Sequence, residues 1–229
     1  MIRLVTFDLD NTLWSVDHVI GRAEARMRRW LEPRVPEYAK LASAEHGAIR
    51  DGVIEANPSI VHDISALRER ILAKTIEHCG YDSETSVRLA AAAFAEFLDW
   101  RHRIEFFDGA LDVLAELAAT YTLASLTNGN ADFRRLGLDR FFAFGFCAAD
   151  VGANKPHTAM FEQALAKAGV APHEAVHVGD HPVDDMQGAQ AAGMATVWVN
   201  LVASDERPNA TATVTSLAEI PAVIEALNP

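Results

Sequence analysis

The sequence predicts an α/β protein, a parallel sheet flanked by helices, with an all-helical block inserted near its start. Three observations predict it. From Asp108-Gly109 onward, helical runs and short apolar strand runs alternate, the pattern of a parallel sheet covered on both faces. From about Asp17 to Arg103 the apolar spacing is helical throughout, with no convincing strand. The chain has 229 residues, long for one compact domain and short for two full-sized ones, which suits a core carrying a smaller insertion. The expected division is residues 1–16 with 104–229 for the core and residues 17–103 for the insertion.

Taken in order, Ile2 to Phe7 reads as a buried strand ending at Asp8. Glu24 to Leu31, Ile64 to Cys79 and Val87 to Trp100 read as helices of the inserted block, punctuated by Pro33, Pro36, Gly47, Pro58 and Gly80. Then come a helix over Ala110 to Ala119, a strand over Tyr121 to Leu126 and a short strand over Phe144 to Cys147. A helix over His157 to Ala168 and a strand over Ala175 to Val178 follow. A helix over Asp184 to Ala192 and a strand over Thr196 to Val199 complete the reading. Ligands in such sheets bind at the carboxyl ends of the strands. The out-of-place polar residues sit there: Asp8, Asp10, Thr127 and Asp180.

Composition narrows the function. Half of the residues are hydrophobic and 23% are charged, which suits a packed core and not a disordered chain. The formal net charge is -12 and no Lys/Arg cluster stands out. Nucleic acid and anionic membrane surfaces are therefore not expected partners. No run approaches the ~20 apolar residues of a membrane span, and no long apolar signal core opens the sequence, so the cytoplasm is the expected compartment. Cys79 and Cys147 match no metal-ligand spacing and are expected to be reduced, buried thiols. An anionic substrate would need local positive charge against this overall field.

Four short segments carry the chemistry. Asp8-Leu9-Asp10-Asn11-Thr12-Leu13 sets two carboxylates two residues apart just past a buried strand, a costly arrangement that a hard divalent cation balances. An Asx-turn or helix cap is the competing reading. Ser125-Leu126-Thr127-Asn128-Gly129-Asn130 offers a hydroxyl and backbone N–H groups as an anion cradle. Lys155, just before a helix, can neutralise phosphate charge. Val178-Gly179-Asp180 closes another strand, and Asp185 follows as a helix begins.

In this order the four segments resemble the motifs of the haloacid dehalogenase superfamily, and the likeness runs over essentially the whole chain. The matching residues are Asp8-x-Asp10, Thr127, Lys155 and Gly179-Asp180-x4-Asp185. The resemblance is to the subfamily (IA) with a helical C1 cap inserted after the first motif, and it implies a Rossmann-like core. It also implies that Asp8 attacks phosphorus and forms an aspartyl-phosphate. Asp10 would act as acid to the leaving alcohol and then as base to water. Mg2+ would be held at Asp8, Asp10 through its backbone carbonyl, and Asp180, with Asp185 in the same acidic group as a ligand or as an orienter. Thr127, Asn128, Gly129 and Lys155 would bind the phosphate.

A closer likeness, to the bacterial flavin-pathway phosphatases, lies in Asn57 to Asp63, in Trp100-Arg101-x-Arg103-Ile104 and in Leu126 to Ala131. It implies a small phosphorylated metabolite as substrate, such as ribitylaminouracil phosphate or flavin mononucleotide. Nucleotides and sugar phosphates are alternative substrates, and a phosphomutase would share the core motifs. Dehalogenases of this fold lack an aspartate at the position of Asp10, because a halide leaves without a proton. A receiver module is disfavoured by the large helical insertion and by an acceptor aspartate after the first strand. A kinase is disfavoured by the lack of a Gly-x4-Gly-Lys-Ser/Thr loop. The cap is expected to close over the site. Trp14, His62, Trp100, Arg101 and Arg103 are candidates to touch the leaving group, each with a packing, capping or solvated role as its competing reading. His177, inside an apolar strand, is expected to be core.

Overall fold

The computed structural model describes residues 1–228. The chain divides into two compact units, Val16–Ile104 and Met1–Ser15 with Glu105–Pro229. The first is all helical. Its four α-helices are α1 (Asp17–Leu31), α2 (Ser43–Ala56), α3 (Ile64–His78) and α4 (Ser83–Arg101). Helix α4 packs on α1 and α3, and α3 packs on α2. Apolar residues at helical spacing meet in one core that includes Met27, Leu31, Ile76, Ala93 and Phe97. Two helices start at aspartates: Asp63 accepts from the Ala66 N–H and Asp82 from the Thr85 N–H, both at 2.9 Å.

The second unit is built on a six-stranded sheet. Its strands are β1 (Leu4–Phe7), β2 (Thr122–Thr127), β3 (Phe142–Cys147), β4 (Ala175–Gly179), β5 (Ala195–Val199) and β6 (Ala212–Val214). They run parallel in the order β3-β2-β1-β4-β5-β6. Helices α5 (Ala110–Ala118), α6 (Ala148–Val151), α7 (Ala159–Ala168), α8 (Gly188–Ala191) and α9 (Ile220–Ala226) belong to this unit. Strand β1 is central, and Leu4, Val5 and Phe7 have no exposed surface. Each such side chain contributes roughly 1.5–3 kcal/mol by its burial. Phe7 pairs with Ser125 of β2 on one side and with Val178 of β4 on the other. The residues that follow therefore gather at the carboxyl ends of the central strands, between β1 and β4, where the strand order changes direction.

Some local expectations differ from the structure. The segment expected as one helix over Asp184 to Ala192 opens as a π-helical turn, Pro182–Gln187, before α8. The Met186 N–H reaches back five residues to the His181 carbonyl, and Asp185 accepts from the His181 N–H at 2.9 Å. That side-chain bond competes with regular helical winding. The expected helix over His157 to Ala168 starts later, at Ala159, with the His157 ring accepting the Ala159 N–H. Strand β6 and helix α9 were not anticipated, because three residues of strand leave almost no period to read. Cys79 and Cys147 are free thiols, as expected, but both are only half-buried.

Candidate active site

The loop after β1 makes the first half of the site. Asn11 takes a left-handed backbone conformation, φ 60°, which asparagine tolerates better than most residues. The turn is closed by the Asn11 N–H on the Trp14 carbonyl (2.7 Å) and the Leu13 N–H on the Leu9 carbonyl (2.9 Å). Leu9, Leu13 and Trp14 are fully buried and anchor the loop. Trp14 packs edge-on against Phe106, with ring centroids 5.7 Å apart. Its indole N–H donates to Asp10 Oδ1 at 2.9 Å. Trp14 therefore holds the Asp10 carboxylate from inside the fold and has no surface to offer a leaving group.

The second half is the environment of Lys155. Its ammonium group donates to Asp8 Oδ1 (2.7 Å), Asp185 Oδ1 (2.6 Å) and the Leu126 carbonyl (2.8 Å). These use all three of its N–H bonds. The backbone of Lys155 is clamped by the Asn128 side chain, whose Oδ1 accepts the Lys155 N–H (2.7 Å) and whose Nδ2 donates to the Lys155 carbonyl (3.0 Å). The same amide donates to Asp184 Oδ2 at 3.2 Å. Thr127 Oγ1 accepts the Gly129 N–H at 2.9 Å and shapes the turn after β2.

On the other side of β1, Asp180 Oδ1 accepts from the Thr12 hydroxyl (3.0 Å), and its carbonyl accepts the Trp198 indole N–H (2.7 Å). Asp185 is held by three donors: Lys155 and His177 on Oδ1, and the His181 N–H on Oδ2. Only glycine fits at position 179, because a methyl group there would overlap the Asp185 carboxylate. Asp8, Asp180 and Asp185 each present a carboxylate oxygen within 4.8 Å of the others. Asp10 is not in that triad. Three carboxylates face one lysine, so hard oxygen donors converge where negative charge is in excess. That donor set fits a divalent cation of the magnesium type.

The comparisons with known proteins agree on the family. Residues 2–193 match the model of the haloacid dehalogenase-like hydrolase family. The chain belongs to that family. It is 33% identical to the 5-amino-6-(5-phospho-D-ribitylamino)uracil phosphatase YigB of Escherichia coli K12, over 86% of this chain and 83% of that protein. It is 37% identical to a phosphoserine phosphatase of Thermus thermophilus, over 91% of this chain and 93% of that one. Among solved structures, it is similar to the 2-haloacid dehalogenase from Pseudomonas syringae pv. Tomato DC3000. That likeness has a TM-score of 0.93 and 44% identity over 99% of both chains. The parallel Rossmann-like α/β core is thus the fold of this hydrolase.

Electrostatics in this hydrolase follow from crowding. Burial pushes the Asp8 carboxyl well above the usual range; Lys155 draws it back, and the Asp185 and Asp180 charges add to the rise. Burial, then the Asp185 charge, lifts Asp180 to about 6. Burial works against the Asp185 charge too, but Lys155 and His177 outweigh it and hold that carboxyl below the usual range. The same carboxylates keep Lys155 charged despite its burial, with its pKa above the ordinary lysine value.

Sequence reasoning did not assign roles to Thr12, the Asn128 side chain, Trp198 or the polar contacts of His177. Only Thr12 gave a signal, as the one hydroxyl in the first motif. In the helical unit, Arg101 is almost fully buried, 1% exposed, against its solvated reading. Arg103 is exposed, lies over the Trp100 ring at 4.4 Å and pairs with Asp99 at 2.6 Å. Among the described residues no helix is long and apolar enough to cross a membrane.

Proposed function

We propose that this hydrolase is a magnesium-dependent phosphatase acting on a small phosphate monoester through an aspartyl-phosphate on Asp8. The observation that carries the reading is Asp10, a carboxylate two residues from Asp8 whose Oδ1 is fixed by the Trp14 indole at 2.9 Å. An alcohol leaves phosphorus readily only if it is given a proton, and a halide leaves carbon without one. A fixed proton donor beside the attacking carboxylate therefore favours ester hydrolysis over dehalogenation. The two curated relatives described above bear phosphatase names, in agreement.

In this reading Asp8 attacks phosphorus in line as the bond to the ester oxygen breaks. Asp10 gives its proton to that oxygen. Asp10 then takes a proton from water as the water oxygen attacks the acyl phosphate, which releases phosphate and restores Asp8. Thr127 and the Asn128 N–H receive the phosphate oxygens, with Lys155 as their counter-charge, and the Gly129 N–H, expected among them, is spent on Thr127 Oγ1. Magnesium would be held by Asp8, Asp180 and the Asp10 carbonyl, and Asp185, engaged by its three donors, would orient Lys155 behind them. Bound there, it would supply positive charge to the phosphate and offset the crowded carboxylates.

The test is a phosphate-release screen with magnesium over phosphate monoesters, including ribitylaminouracil phosphate, flavin mononucleotide and phosphoserine, beside chloride release from 2-chloropropionate. We expect phosphate release and no chloride release. The likeness to YigB and the motif at Leu126 to Ala131 favour the ribitylaminouracil and flavin phosphates. Chloride release without phosphate release would replace this reading with that of the dehalogenase-named structure.

Magnesium has a test of its own. Below pH ~4 Asp180 is protonated in both the folded and the unfolded chain. From there up to about pH 6 the unfolded chain gives up the Asp180 proton while burial and Asp185 make the folded protein keep it, so metal-free stability falls across that window and levels off above it. Added magnesium is expected to raise the thermal midpoint by about 5–10 °C at pH 7.5 when present at roughly a hundredfold its Kd, and by far less at pH 5. Equal shifts at both pH values would contradict the assignment.

A further inference from the structure

Behind Asp185 lies a buried polar chain that the chemistry above does not use. His177 sits in the middle of β4, between Val176 and Val178, with no exposed surface. An imidazole so placed is tolerated only if both ring nitrogens find partners. Both do. Nε2 is 3.1 Å from Asp185 Oδ1, and Nδ1 is 2.8 Å from Thr6 Oγ1 on β1. The β1–β4 register sets Thr6 opposite His177. Phe161 packs edge-on against the ring, with centroids 5.1 Å apart.

The contacts also fix the tautomer. Nε2 faces the Asp185 carboxylate and Nδ1 faces the Thr6 hydroxyl, so one ring N–H and one hydroxyl hydrogen serve both contacts. Asp185 is an anion and can only accept, so that N–H lies on Nε2. Nδ1 then accepts from the Thr6 hydroxyl, whose other acceptor, the Val176 carbonyl, is more distant at 3.4 Å. The chain of donation runs from Thr6 to His177 to Asp185. Lys155 donates to the same Asp185 oxygen at 2.6 Å and to Asp8 at 2.7 Å.

We propose that His177 is a positioning residue: with its ring set by Thr6, it holds the Asp185 carboxylate in the orientation that keeps Lys155 on Asp8. The proposal rests on the reading of Asp8 as the attacking group. Outer partners of this kind usually affect activity 10- to 100-fold. Without the Nε2–H, Asp185 keeps the His181 N–H on Oδ2 but loses the donor that opposes Lys155 on Oδ1. Lys155 then loses its fixed place on Asp8 and the attack slows, while Thr127 and the Asn128 N–H, which receive the phosphate oxygens, stay where they are.

The test is steady-state kinetics with p-nitrophenyl phosphate and magnesium on His177→Leu, His177→Gln and Thr6→Val, each checked for a cooperative thermal transition. Glutamine can set an amide N–H near the place of Nε2, and leucine cannot. We expect kcat to fall about 10- to 100-fold in His177→Leu with KM within twofold of the parent. His177→Gln should recover most of that loss, and Thr6→Val should lose about threefold or more in kcat alone. If His177→Leu does not fold, Thr6→Val decides by the same criterion. Equal kcat losses for leucine and glutamine, or a change confined to KM, would overturn the proposal. An inactive Asp8→Asn beside a fully active His177→Leu would overturn this inference alone, and an active Asp8→Asn would overturn the reading beneath it.

Discussion

Replacing Asp8 with asparagine is expected to lower phosphate turnover by roughly 10⁴- to 10⁶-fold, the scale seen when a covalent nucleophile is removed, and to leave the fold intact. The two halves of this expectation have separate physical sources. The amide cannot attack phosphorus, so the covalent route is lost. The charge it removes is unwelcome in the folded state, since burial and the Asp185 and Asp180 carboxylates all oppose Asp8 ionisation. Lys155 keeps two acceptors, Asp185 and the Leu126 carbonyl. The thermal midpoint without metal should therefore be unchanged or higher. Thermal unfolding in chelator and phosphate release on the same sample check both halves, and near-normal turnover would remove Asp8 from the mechanism.

Lys155→Met should fail in the opposite way, losing stability and turnover together. The variant leaves Asp8, Asp180 and Asp185 as a buried acidic group with no cation among them. Removing one partner of a buried ion pair is destabilising by about 3–5 kcal/mol. For a chain of this size that is a drop of roughly 6–20 °C in thermal midpoint. Excess magnesium should recover part of the stability, because it offsets the same carboxylates, and should recover little turnover, because it does not replace the contact with Asp8. A variant as stable as the parent in chelator would mean that the acidic group is less crowded than the distances imply.

The fold was largely legible because the sheet is parallel. Buried on both faces, strands such as Leu4 to Phe7 and Ala175 to Gly179 read as short apolar runs that stop at a carboxylate. The site was legible where a carboxylate ends such a run, as at Asp8 and Asp180, and where a lone lysine stands before a helix, as at Lys155. It was not legible where function lies in geometry without an unusual residue type. Asn128 resembles any loop asparagine, yet its side chain clamps Lys155 at both backbone groups. His177 reads as core and is core, and its two hydrogen bonds depend on neighbours 171 residues earlier and 8 later. The π-helical turn that aims Asp185 depends on a side-chain bond to the backbone, which apolar periodicity does not record.

The strand order has a consequence for how the protein is made. The helical unit is one unbroken stretch, Val16–Ile104, and every contact in its core is available once that stretch has left the ribosome. The sheet is not local in this sense. Strand β1 pairs with β2 118 residues later and with β4 171 residues later, so its apolar residues wait through most of synthesis for both partners. Such distant pairings are slow to form. During translation the helices can therefore fold first, while a strand that already carries Asp8 stays unpaired and open to the wrong neighbours. The acidic cluster assembles only after β4 has docked, so the excess of negative charge gathers late, on a framework that β1 and β2 have already begun to close.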